Sequence, residues 1–73
     1  MDTIRIGENI GEQLRQLRVE RGITQRQLAA QTQLSQQAIS SIEVGRMEPS
    51  LATLDTICRC LGVAIIINGG DSQ

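Results

Sequence analysis

Two adjacent glutamines, Gln36 and Gln37, follow Ser35, and Ser40 and Ser41 come about one helical turn later in the stretch SQQAISS. These side chains have no base beside them to make a nucleophile, because the chain contains no histidine. What they can do is hydrogen-bond. A carboxamide presents a donor and an acceptor side by side, which suits paired contacts to another flat polar edge. Other chemistry is poorly provided for. The two cysteines, Cys58 and Cys60, lie two apart, and without histidine they complete no metal site at a standard spacing. On a helix they point to different sides and cannot bridge each other. There is no glycine-rich phosphate loop and no carboxylate cluster, so neither a catalytic residue nor a cofactor is expected.

The elements that must hold this stretch are marked by helix punctuation. Seventy-three residues allow one small domain, spanning 1–73, and 40% apolar content is enough for a core. With no aromatic residue, that core is aliphatic, and base stacking on rings is excluded. Asn9 followed by Glu12 fits a capping box, and Ile10, Leu14 and Leu17 then share one helical face. Thr24 with Gln27 fits a second box, Ser35 caps a third helix, and Ser50 after Pro49 caps a fourth. Gly22, Gly45 and Gly62 close helices. Ile23 and Leu34, each before a cap, can staple onto Leu28 and Ile39. Leu51, Leu54, Ile57, Cys58 and Leu61 form the apolar stripe of the fourth helix. The helical core is expected over 9–62. VAIIIN, residues 63–68, is short and β-branched and reads as a strand; TIRI, residues 3–6, alternates and fits a second one.

The second and third helices are joined by a tight connection, the arrangement of a helix-turn-helix unit. Ala29 supplies the small residue where the two cross, and Leu28, Leu34, Ile39 and Ile42 lock them together. Gln36, Gln37, Ser40 and Ser41 are then left on the outward face of the third helix, toward its N-terminal end. That end is the one that meets base edges in a major groove.

The segment ITQRQLAAQTQLSQQAISSIEVGRMEPSLATLDTICRCLGV resembles the Cro/C1-type (XRE) helix-turn-helix domain of phage repressors and bacterial regulators, over about residues 9–63. The resemblance implies an all-α, lambda-repressor-like bundle of four to five helices that binds double-stranded DNA. It places Gln36 and Gln37 at base-reading positions, with Ser40 and Ser41 beside them. It makes Gln25, Arg26, Ser35 and Arg46 candidates for phosphate contact, and Arg18 and Glu43 an internal salt bridge. Glutamine pairs with adenine N6 and N7 at roughly 1–3 kcal/mol of discrimination. The chain departs from the pattern at Gln33, where the family usually has glycine; a left-handed backbone there costs a side chain about 1–2 kcal/mol.

The net charge of −1 is unevenly distributed. Residues 15–46 carry five arginines against two glutamates, a surplus of three positive charges, and the other six acidic residues lie in the remainder. A field this modest holds DNA weakly as a single copy. A lone hydrophobic strand also exposes an unpaired edge. Both considerations point to a homodimer formed through a C-terminal dimerisation strand (Val63, Ile65, Ile66 and Ile67), with packing of that strand onto its own helices as the alternative. A two-fold dimer would read a palindromic operator with half-sites about 34 Å apart. A helix-turn-helix followed by such a strand is also similar to HipB-like antitoxins, which implies a possible toxin protein partner. Two thiols and the lack of a long apolar run fit a cytoplasmic protein with no membrane association.

Overall fold

The computed structural model describes residues 3–7 and 9–67. In chain order the elements are β1 (Thr3–Ile6), α1 (Ile10–Glu20), α2 (Gln25–Thr32), α3 (Gln36–Glu43), α4 (Leu51–Leu61) and β2 (Ala64–Ile67). The four helices surround an aliphatic core of Leu14, Leu17, Leu28, Ala29, Ile39, Ile42, Leu54, Ile57, Cys58 and Leu61, with Ile4 from β1 completely buried among them. No described helix is long and apolar enough to cross a membrane.

Three of the four expected N-caps form. The Thr24 hydroxyl accepts from the Gln27 N–H at 3.0 Å while the Gln27 side chain accepts from the Thr24 N–H at 2.9 Å, a complete capping box. The Ser35 hydroxyl accepts from Ala38 N–H at 3.0 Å and that of Ser50 from Thr53 N–H at 3.1 Å. The expected Asn9–Glu12 box does not form. Asn9 has ψ 78°, short of the extended backbone that turns a capping side chain onto the first turn, and it makes no side-chain cap bond. Glu12 instead accepts from Gln16 Nε2 at 3.4 Å. The apolar stripe of α4 also begins later than expected. Leu51, its first residue, is exposed, and coverage starts at Leu54.

TIRI and VAIIIN meet as a parallel pair, with Thr3 opposite Ala64, Ile4 opposite Ile65, Arg5 opposite Ile66 and Ile6 opposite Ile67. A parallel pair needs a long crossover, and here the four helices supply it. The strand therefore finds a partner for one edge in its own N-terminal segment, an arrangement in addition to the two expected, a second copy and its own helices. Side chains alternate along the segment as a strand requires: Val63 and Ile65 pack against the core, and Ala64 and Ile66 face out. The strand ends at Ile67; Asn68, the last residue of the expected strand, lies outside the described residues.

Candidate nucleic-acid interface

The turn between α2 and α3 is built by Thr32. Its buried hydroxyl donates to the Leu28 carbonyl at 2.8 Å and accepts from Leu34 N–H at 3.4 Å. Gln33 then reverses the chain in the left-handed conformation, φ 64° and ψ 20°. This is the only non-glycine with positive φ among the described residues. Ser35 starts α3, and Ile39 and Ile42 seat it against Leu28 and Ala29 in the shared core.

One face of α3 remains. Gln36 and Gln37 are exposed, and Ser40 and Ser41 are half-buried beside them. Neither glutamine amide is bonded within the described residues, so both keep their donors and acceptor for another molecule. Because Ser35 accepts from Ala38 N–H, its own O–H is still able to donate.

A buried ion pair fixes the angle of this helix. Arg18 Nε donates to Glu43 Oε2 at 2.7 Å and Nη2 donates to Oε1 at 3.0 Å, a fork that closes α1 onto the end of α3. Arg18 Nη1 also donates to the Ile23 carbonyl at 2.8 Å, tying in the loop before α2. The carboxylate is 2% exposed and the guanidinium 11%. Glu43 ends a helix, where the peptide dipoles leave partial negative charge, so its carboxylate depends on the arginine for compensation.

Gln25 is the third member of this network. Its Nε2 donates to Glu43 Oε1 at 3.0 Å, so α2, too, is held to the end of α3. One amide proton is thereby engaged and the second is left for an outside acceptor. The family resemblance pairs Arg18 with Glu43 and implies that Gln25 supports the recognition helix as well as holding a phosphate; the bond to Glu43 is how it reaches that helix. Nothing in the spacing of 18 residues between Gln25 and Glu43 signals their contact. Gly11 was missed altogether. A Cβ there would stand 2.2 Å from the Ile42 carbonyl oxygen, so the close approach of α1 to the end of α3 requires glycine. The cue in the sequence was a glycine inside a helix, which otherwise only weakens it.

Arg26 on the first turn of α2 and Arg46 in the loop after α3 are both exposed. Arg26 lies at the start of the helix-turn-helix and Arg46 just beyond its end. The structure brings together Arg18, Gln25 and Glu43, and leaves Gln36, Gln37, Arg26 and Arg46 open to solvent. Among the described residues no group of three or more His, Cys, Asp or Glu side chains could hold a metal ion. Cys58 is buried, and burial, with a smaller contribution from Asp55, pushes its thiol up to about 11. That environment suppresses the thiolate at neutral pH.

Comparison with known proteins agrees with this geometry. A helix-turn-helix family model matches residues 14–67. An uncharacterized HTH-type transcriptional regulator, y4dL, of Sinorhizobium fredii is 42% identical over 60 residues, 82% of this chain and 31% of that protein. The immunity repressor protein of Bacillus phage phi105 is 38% identical over 56 residues, 77% of this chain and 39% of the repressor. Among solved structures, the clp gene regulator ClgR from Corynebacterium glutamicum superposes with a TM-score of 0.75 at 37% identity, over 78% of this chain and 61% of that one. The chain thus spans about a third of the length of the first of these relatives, and about two fifths of the second.

Proposed function

Because this chain belongs to the Cro/C1-type helix-turn-helix family, we propose that it binds a specific double-stranded DNA sequence as a homodimer and acts as a small transcriptional regulator, most simply a repressor. The observation that carries this reading is the pair of unengaged amides on the first turn of α3, Gln36 and Gln37, mounted on a helix whose other faces are committed. Each can pair with adenine, donating to N7 and accepting from N6, and Ser40 and Ser41 sit beside them for less selective contacts. Arg26, Arg46, the second amide proton of Gln25 and the Ser35 hydroxyl provide the phosphate contacts that set register. Occupying a promoter in this way would exclude other proteins from it.

The support for a homodimer is the inequality of the two sheet edges. The outer edge of β1 is closed, because Gln13 Oε1 accepts from Arg5 N–H at 2.9 Å and Gln13 Nε2 donates to the Arg5 carbonyl at 3.1 Å. The side chain thus imitates a neighbouring strand. No such side-chain bond is described on the outer edge of β2, where Ile66 is 41% exposed. A second copy adding there, antiparallel across a two-fold axis, would extend two strands to four and satisfy that edge. In this arrangement Val63 and Ile65 serve their own core, and Ile66 is the apolar side chain offered to the partner.

The test is selection of bound sequences from random DNA, followed by anisotropy titration of the wild type and of Q36A/Q37A. A palindromic preference that the double variant loses, with its helical circular dichroism intact, is the expected result. A double variant as selective as the wild type removes the reading role from these residues. Sedimentation of Ile66→Lys tests the dimer separately: a monomer is expected, and an unchanged dimer places the interface elsewhere.

A further inference from the structure

The far end of α3 carries a side chain used neither by the core nor by the ion-pair network. Val44 is the C-cap of this helix and is 64% exposed, the most exposed large apolar residue described. Its position is well fixed. Its own N–H donates to the Ser40 carbonyl at 3.1 Å, and the N–H groups of Gly45, Arg46 and Met47 close on the Ile42 and Ser41 carbonyls. A β-branched side chain adds stiffness at χ1.

Its direction is what matters. At 100° per residue, Gln37, Ser41 and Val44 fall within an arc of roughly 60°, opposite Ile39 and Ile42. Val44 therefore continues the line of the reading side chains. The helix is also short. Eight residues at about 1.5 Å each give a rod of about 12 Å, no longer than the major groove is wide. A helix of that length, when it lies along the groove rather than pointing into it, keeps its last turn beside the bases as well. Valine offers no hydrogen bond there. The one apolar group that base pairs display in the major groove is the C5-methyl of thymine.

We propose that Val44 is a specificity-determining residue that contacts a thymine methyl. Seven positions along α3 from Gln37, about 10 Å, it meets a thymine other than the base read by Gln37. This rests on α3 being the reading helix.

The experiment starts from the duplex selected by the wild-type protein. Each thymine is replaced in turn by deoxyuridine, which removes only the methyl group, and wild type and Val44→Ala are titrated on every duplex. One replacement should weaken the wild type about fourfold, the worth of one buried methyl group. Val44→Ala should bind the parent duplex several-fold less tightly and be indifferent to that replacement. Sequences selected afresh by the variant should lose thymine at that position alone. If no replacement separates the two proteins, or if the variant weakens on selected and random DNA equally, the contact does not exist. A wild type that selects no sequence at all overturns the reading helix itself, and the valine contact with it.

Discussion

Removing Glu43 tests how the reading helix is held. In Glu43→Ala the Arg18 guanidinium, 11% exposed, loses both ends of its fork and keeps only the Ile23 carbonyl. The Gln25 amide loses its acceptor at the same time. Breaking one side of a buried pair costs about 3–5 kcal/mol, because the remaining charge stays desolvated. A domain of this size has a total stability of roughly 4–11 kcal/mol at about 0.05–0.15 kcal/mol per residue, so the variant should lose a large share of it. In Arg18→Ala the loss should be similar, since the 2%-exposed carboxylate is then alone. The decisive variant is the double one. With both charges gone neither is stranded, so Arg18→Ala plus Glu43→Ala should destabilise by much less than the two single losses added, with a coupling of about 1–3 kcal/mol. Urea denaturation followed by circular dichroism measures all three, and each kcal/mol should move the melting temperature by about 4–8 °C. Single losses below about 1 kcal/mol that simply add would refute the reasoning and class the bridge with exposed ion pairs.

Three further outcomes follow from particular residues. Gln33→Gly should raise stability by about 1 kcal/mol, because glycine removes the strain of φ 64° at the turn; an unchanged or lower denaturation midpoint would mean that the glutamine side chain repays it. Gly11→Ala should destabilise by at least about 1–3 kcal/mol, because its Cβ would meet the backbone oxygen of Ile42 at 2.2 Å, and a wild-type melting curve would show that α1 shifts freely. Cys58 should make the protein sensitive to alkali. Its folded pKa of about 11 lies above the ordinary 9.0, so the folded state holds the proton more tightly, and this stability is complete below about pH 9 and lost as pH rises toward 11. Two units correspond to roughly 3 kcal/mol at most. Denaturation midpoints of wild type and Cys58→Ala across pH 8–11 should converge as pH rises; parallel curves would show that the buried thiol ionises freely.

The sequence by itself determined the local features. A Thr24–Gln27 box, a Ser35 cap and a run of apolar residues on one face are each made by residues within one or two turns, so spacing alone specifies them. The outward position of Gln36 and Gln37 follows from the same periodicity once Ile39 and Ile42 are placed inside. Asn9 had the right residue type and spacing for a cap, yet its backbone, leaving the β1 turn, never reaches the extended conformation a cap needs. What only the tertiary structure decided joins segments far apart in the chain. TIRI and VAIIIN both read as strands, but their mutual parallel pairing depends on four helices bringing residues 3–6 beside residues 64–67. Gln25 reaching Glu43, Gly11 passing Ile42 and Gln13 closing the edge at Arg5 arise likewise where separate elements cross. Hydrogen-bond reach is about 3 Å and carries no signature in sequence distance. Such contacts exist only after the helices have packed, and those at Glu43 and Ile42 hold the end of α3 in place.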